Sequence, residues 1–383
     1  MSESTLFVAG DLVNYQNATG EVCSPGLAEI IRGADYALCN FEAPIHGYGT
    51  PQPKSGPHHS QRPETLGGIK KQGFDAVLLA NNHIMDFGLD GLNATIDAAQ
   101  AAQLDTLGAG RTAEVAYTPL VRELKGVRVG IVNACEAQFG VLDSFSESTD
   151  PGYAWINSSR VDQAVISLRG SCDFVVVLAH AGLEHFGIPQ KEWRIRYKHL
   201  CAIGADAVVG SHPHVPQGYE WYGESIIIYS LGNFYFDSKK YASRRDSTYS
   251  ALLKMKKGDP IKFEPVFHHK ENGKVCLSSE SERVDLDALC ERLGDGYQAE
   301  LDRMSAEVYR RVSRNLKLSL SAFPFDRGPL GHAKALARRI LKRSGAPDKE
   351  LLQLHMLRNE AYYFAARHAL EVRKRDKYGV IGE

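Results

Sequence analysis

Imidazoles, carboxylates and carboxamides recur in this chain just after short apolar runs, where an α/β protein places the ligands of a metal. Gly210-Ser211-His212-Pro213-His214 follows the run 205–209 and sets two imidazoles one residue apart. Pro213 fixes its own φ and lacks a backbone donor, so both rings project from a stiffened turn. Such a pair is ordinary when alone, since satisfied and surface histidines are common; repetition of the same grammar gives it weight. Asp11 leaves the run Phe7-Val8-Ala9-Gly10, and Asn40 and Glu42 leave Cys39 on one side of an extended chain, because side chains alternate there, with Asn40 expected at the substrate. Asn81-Asn82-His83 ends the run 78–80, with Asp86 placed to orient His83 and Gly88 to permit the next turn. His180 ends the run 175–179, followed by Gly182, and Glu184 and His185 just behind it are expected to line the same mouth and meet substrate. Asn233, in Leu231-Gly232-Asn233-Phe234, is a weaker addition at a substrate or supporting position.

An asparagine oxygen ligates a hard cation without adding negative charge, and an adjacent histidine stays available for proton exchange. Together these N and O donors suit two divalent metal ions such as Mn, Fe or Zn, which activate water against a phosphoryl or carbonyl centre. The bland alternatives are an Asx-turn or helix cap for Asp11, a capped polar turn for residues 81–83 and a turn-former for Asn233. Residues 47–63, rich in Pro, Gly, His and Ser, form a loop too long for a simple connection and read as a lid or a mobile segment. Within it Arg62, with His58 and His59, is placed to clamp an anionic substrate bidentately; the alternative is a solvated loop arginine.

The elements that must hold these residues follow from the rhythm of the chain. Apolar runs at 6–9, 36–39 and 76–79 alternate with helical patterns at 27–31 and 89–103, which argues an α/β layout with buried strands. Residues 117–124 and 127–132 read as a hairpin around Lys125-Gly126, with Pro119 pushing the first strand toward a sheet edge. Helices are expected at 158–170 and 191–203, a strand at 173–178, then β-rich runs at 219–222, 225–229, 250–255 and 261–267, so two sheets are predicted. From about Val284 the composition turns helical, broken at Phe323-Pro324-Phe325 and Gly345-Ala346-Pro347. We therefore divide the chain into a domain at 1–280 and a helical C-terminal extension at 281–383. The basic pairs Arg338-Arg339 and Lys342-Arg343 read as exposed helix faces, the alternative being contact with phosphates or an acidic membrane surface.

A hydrophobic content of 43% fills a real core, and a formal net charge of −1 gives no pull toward nucleic acid, so no nucleic-acid partner is expected. No basic, apolar leader opens the chain and no stretch approaches the ~20 apolar residues that span a bilayer, so no transmembrane segment is expected. The seven cysteines are scattered without C-x-x-C spacing and read as reduced thiols of a cytoplasmic protein, with Cys39 and Cys135 in the core.

In order and spacing, Gly10-Asp11, Asn40-Phe41-Glu42, Asn81-Asn82-His83 through Gly88, His180 to Glu184, Gly210 to Val215 and Ser230 to Phe234 resemble the CapA family. That family is named for poly-gamma-glutamate capsule synthesis, and its fold is similar to the calcineurin-like metallophosphoesterases. The likeness covers roughly residues 5 to 240 and implies a two-sheet α/β/β/α sandwich, leaving the helical C-terminal appendage outside it. By position it implies that Glu42 bridges two ions, that Asp11 and His214 complete the first, and that Asn82, His180 and His212 complete the second. His83 would then protonate a leaving-group oxygen or bind a phosphoryl oxygen. The wider superfamily opens with Asp-x-His, whereas Val13 stands two residues after Asp11 and leaves the first ion one ligand short.

The expected activity is hydrolysis of a phosphoester by metal-activated water, in capsule or envelope polysaccharide or polyglutamate metabolism, on a small anionic or polymer-precursor substrate. A metal-dependent glutamyl amide hydrolase or transferase is the second reading, since fold does not decide between the two bonds. A non-catalytic component of a capsule-polymer system is the third, and the presence of His83 argues against it.

Overall fold

The computed structural model describes residues 3–144, 146–237, 246–320 and 349–378. They form two compact units, one of residues up to 52 with 58–297, the other of 53–57 with the residues from 298 onward. The expected alternation gives β1 (Ser4–Val13), α1 (Pro25–Gly33), β2 (Tyr36–Phe41), α2 (Glu64–Lys71), β3 (Ala76–Leu78), α3 (Gly88–Ala101) and β4 (Asp105–Leu107). These strands are parallel neighbours, as crossover helices require. After β5 (Ala109–Gly110) and α4 (Ala113–Ala116) comes the predicted hairpin, β6 (Leu120–Leu124) with β7 (Val127–Cys135). Its turn residues Lys125 and Gly126 both take positive φ, 48° and 84°, the twist-matching form of a two-residue loop.

The chain continues through β8 (Val141–Leu142), β9 (Gly152–Ala154), α5 (Ser159–Arg169), β10 (Phe174–His180), α6 (Lys191–Ala202) and β11 (Ala207–Ser211). There follow β12 (Tyr219–Tyr222), β13 (Ser225–Ile228), β14 (Asn233–Phe236), β15 (Ser247–Met255), β16 (Lys262–Glu271) and β17 (Lys274–Leu277). The larger sheet runs β17-β16-β15-β1-β2-β3-β4, with β14 also on β1, and the second runs β12-β13-β11-β10-β7-β6. Strands β5, β9 and β8 make a small third sheet that the sequence pattern did not reveal.

Period-two alternation sorts each strand between two cores. Leu6 and Val8 of β1 join Leu38 and Leu78 against Ile131, Val176, Leu178 and Val209 in the layer between the sheets. Phe7 and Ala9 instead join Cys39 and Val77 beneath Leu27, Ile31, Leu66 and Ile96 of the helices. Helices α5 and α6 lie on the second sheet. The result is an α/β sandwich of two sheets with helices outside, the layout that the resemblance implies.

Residues 281–297 belong with this sandwich, because Leu286 of α7 (Leu286–Glu291) and the adjacent Leu289 pack into the inter-sheet core. The division therefore falls after Tyr297 and not at 280/281. The C-terminal part contains α8 (Tyr297–Leu320), α9 (Lys349–Arg358) and α10 (Glu360–Tyr378), with His368 of α10 2.7 Å from Asp302 of α8. The breaks at 323–325 and 345–347 and the basic pairs at 338–343 lie outside the described residues. All seven cysteines are free thiols, Cys39 and Cys135 fully buried. No helix among the described residues is long and apolar enough to cross a membrane.

Candidate metal centre

The ligand candidates gather at the carboxyl ends of the parallel strands. In β1, Ala9 pairs with Cys39 but Asp11 pairs with Asn40, so Gly10 is an extra residue, a bulge that re-aims Asp11. A Cβ on Gly10 would stand 2.0 Å from the Gly232 carbonyl oxygen, so no other residue fits. Asp11 thereby lies beside Asn40 of β2 on one flank and Asn233 of β14 on the other. His180 ends β10 opposite Ser211, the last residue of β11. Beyond Ser211 the chain bends hard: His212 and His214 take φ of 97° and 59°, strain of about 1–3 kcal/mol each that the surrounding structure must hold.

Two donor sets meet on Glu42. In one, His180 Nε2 lies 3.1 Å from Asn82 Oδ1, 3.0 Å from His212 Nδ1 and 3.8 Å from Glu42 Oε1. In the other, His214 Nδ1 lies 3.3 Å from Asp11 Oδ2 while His214 Nε2 lies 3.7 Å from Glu42 Oε1. Glu42, His180 and His212 form one group of convergent ligand atoms, and Asp11, Glu42 and His214 the other. Both oxygens of the Glu42 carboxylate are buried and neither has a hydrogen-bond partner among the described residues. An ionised carboxylate so placed is penalised by several kcal/mol unless a cation compensates it. The donors fit a pair of divalent cations with Glu42 between them.

The electrostatics agree with that need. Burial drives the Glu42 carboxyl well above the usual carboxylate range, with His214 pulling against it and the Asp11 charge adding to it. Burial acts the same way on Asp11, but the imidazoles of His180 and His214 outweigh it and hold Asp11 far below that range. His214 is opposed by burial yet raised well above an ordinary histidine by Glu42 and Asp11. His180 and His212 are lowered, chiefly by burial, and His212 also by the neighbouring imidazoles, so both present lone pairs.

Residues 6–238 match the family model described as "Bacterial capsule synthesis protein PGA_cap". The chain belongs to this family. It is 33% identical over 214 residues to a capsule biosynthesis protein CapA of Bacillus anthracis, a match covering 54% of this chain and 52% of the relative. It is 30% identical over 239 residues to the PGA biosynthesis protein CapA of Bacillus subtilis, covering 61% of each. The chain thus spans about half to three-fifths of the curated relatives it matches. Among solved structures it is similar to a 5′-nucleotidase from Candida albicans, with 10% identity, coverage of 78% of this chain and 58% of that one, and a TM-score of 0.41.

The remaining candidate residues differ in where the structure puts them. His83 Nδ1 donates to Asp86 Oδ2 at 2.8 Å, and Asp86 is fully buried, so one carboxylate fixes the ring. Asn40, expected at the substrate, is instead buried beneath the ligands: its amide nitrogen donates to Asp11 Oδ1 at 2.7 Å and lies 3.0 Å from His180 Nδ1. Asn233 likewise supports a candidate ligand, its Oδ1 lying 3.0 Å from His214 Nδ1. Arg62 does not join the cluster in this structure; its guanidinium faces Glu64 at 3.3 Å, a carboxylate two residues on that captures it locally. Glu184 is half exposed, and the His185 ring lies 5.9 Å from that of His214, toward the mouth.

Sequence reasoning missed three groups. Glu136 is fully buried, accepts from Gly182 N at 3.0 Å and from Gln138 Nε2 at 2.6 Å, and lies 3.7 Å from His212 Nε2. It follows Cys135 at the end of β7, the same strand-end grammar that marked the others. Gln138 also accepts from Asn82 Nδ2 at 3.3 Å. His59, noticed only as a companion of Arg62, packs its ring 4.3 Å from that of His83 and bonds to the Tyr15 hydroxyl.

Proposed function

We propose that this chain is a metal-dependent hydrolase that uses a dinuclear centre to activate water against a phosphoester, acting on a small anionic or polymer-precursor substrate of capsule assembly. The observation that carries the reading is the buried Glu42 carboxylate, without a hydrogen-bond partner among the described residues, between two convergent donor sets. Asn82, His180, His212 and Glu42 would hold one divalent ion, Mn, Fe or Zn, and Asp11, His214 and Glu42 the other. Ions bound there supply hydroxide near neutral pH and offset charge building on a phosphoryl oxygen.

The chain's own residues do the rest. Asn40 orients Asp11 by donating to it, and Asn233 Oδ1 accepts from His214 Nδ1, which leaves His214 Nε2 facing the centre. Asp86 holds His83 through Nδ1, so the proton given to a departing oxygen is the one on Nε2. Similarity to a PGA biosynthesis protein supports the second reading, in which the bond cleaved or transferred is a glutamyl amide.

Metal content after loading with Mn or Zn, followed by assays on phosphomonoesters, phosphodiesters and glutamyl amides, tests the proposal with His83→Ala as control. We expect bound metal, phosphoester turnover and a loss of about 100-fold or more in the variant. Absence of bound metal sinks the dinuclear centre, equal turnover by His83→Ala removes the assigned acid, and turnover of amides alone selects the second reading.

A further inference from the structure

One carboxylate oxygen does two tasks at the edge of the centre. Asp86 Oδ2 accepts from His83 Nδ1 at 2.8 Å and also from the backbone N–H of His59 at 2.7 Å. The same polypeptide turn is tied again where Gln52 N donates to the Asp86 carbonyl at 2.9 Å and His58 Nε2 donates to Gln52 O at 2.7 Å. The ends of the loop are closed by His46 N on Gln61 O and Gln61 N on Pro44 O. His59 is therefore carried to the centre on a segment anchored to the residue that orients the acid.

The His59 ring is held as specifically as its backbone. Its Nδ1 meets the Tyr15 hydroxyl, and its face stands edge-on to His83, with Phe236 on another flank at 6.1 Å. Tyr15 is in turn fixed through its backbone N–H, which donates to Asp237 Oδ1 at 2.6 Å. A hydroxyl that donates to Nδ1 leaves the imidazole proton on Nε2 and makes that atom a donor in the neutral ring.

We propose that His59, oriented by Tyr15, is a substrate-contacting donor beside His83, and that this pair of imidazoles fits the centre to phosphomonoesters. This rests on the phosphoester reading above. A monoester offers three non-bridging oxygens and a diester two, so a donor additional to the leaving-group acid is used most fully by the monoester. A positively polarised N–H at this point also suits the greater charge of the monoester anion.

The test uses the full, metal-loaded chain with His59→Phe, His59→Gln and Tyr15→Phe. Inorganic phosphate affinity is measured by calorimetry, and kcat/KM is measured on p-nitrophenyl phosphate and bis(p-nitrophenyl) phosphate. We expect His59→Phe to weaken phosphate binding about tenfold, the worth of one hydrogen bond to a charged group, and to lower the monoester-to-diester ratio by a similar factor. His59→Gln, which keeps an amide donor, restores part of the loss, and Tyr15→Phe shows a smaller one. Unchanged phosphate affinity and an unchanged ratio in His59→Phe, with metal content intact, overturn the assignment. A wild type that hydrolyses neither ester overturns the hydrolase reading instead, and the phosphate affinities still decide for or against His59.

Discussion

Asp11 and His214 lie on one side of Glu42, and Asn82, His180 and His212 on the other, and the two sides handle buried polarity differently. The first is an ion pair, a carboxyl that His180 and His214 both depress against an elevated His214 imidazole 3.3 Å away, which a proton on His214 already satisfies. The second is three neutral donors whose nearest atoms are 3.0 and 3.1 Å apart, with both imidazoles disfavoured as cations. Converging lone pairs with no charge among them gain most from a metal ion, so the second side is expected to bind more tightly. The first side, where the family resemblance implies a further ligand at the position of Val13, is expected to follow.

Glu42 belongs to both sides, and its removal should produce the largest effect. Glu42→Gln is expected to lose both ions and to reduce phosphoester hydrolysis to background. At a free metal concentration of a hundred times Kd, each site stabilises the fold by about 2.7 kcal/mol, so a chelator should lower the Tm of the loaded wild type and leave Glu42→Gln unmoved. A variant that still binds two ions breaks the shared-ligand arrangement. Next in size come the two imidazoles flanking Pro213. By metal titration with elemental analysis, His212→Ala should remove the tighter ion and His214→Ala the weaker, each by more than the ~10–100-fold seen for supporting residues. The reverse order of loss would overturn the comparison between the sides.

Much of this was readable in the chain because strand ends are local features. Asp11, Glu42, Asn82, His180, His212 and His214 each follow an apolar run, and a parallel sheet brings such positions to one edge whatever the intervening loops do. The hairpin at Lys125-Gly126 and helices α3, α5 and α6 were legible for the same reason. What failed was orientation. Nothing local says that Asn40 turns its amide onto Asp11 and His180, because that depends on the Gly10 bulge and on the distance to β10. Arg62 was read as a clamp from its loop and chemistry, while Glu64, its actual neighbour, follows it by two residues. Glu136 carried the right signal after Cys135, but as a lone carboxylate without an adjacent histidine it did not stand out.

The supporting residues sharpen the comparison at a finer scale. Gln138 touches only the second side, through Asn82 and, at 3.4 Å, His212, whereas Asn233 touches the first through His214. Gln138→Leu and Asn233→Leu are each expected to weaken one ion by about 10–100-fold and to leave the other within a few-fold, as read by competition with a chromogenic chelator. Loss spread evenly over both ions in either variant would show that the sides are one coupled unit.

The smallest expected effect is a gain. Val13 is fully buried and lies two residues beyond Asp11 on the same strand, the spacing at which side chains of an extended chain share one side. Val13→His places an imidazole where the first side lacks a donor, so the weaker ion should bind more tightly while the stronger is unchanged. The larger ring must be fitted beside β14, where Val13 pairs with Phe236, at a stability cost of about 1–3 kcal/mol in the metal-free protein. Metal titration and thermal melts with and without chelator separate the two consequences: the melt falls without metal and recovers with it if the new ring ligates. A folded Val13→His protein with the wild-type affinity for its weaker ion would mean that the missing donor is not what distinguishes the two sides, and that the Asp11–His214 ion pair is.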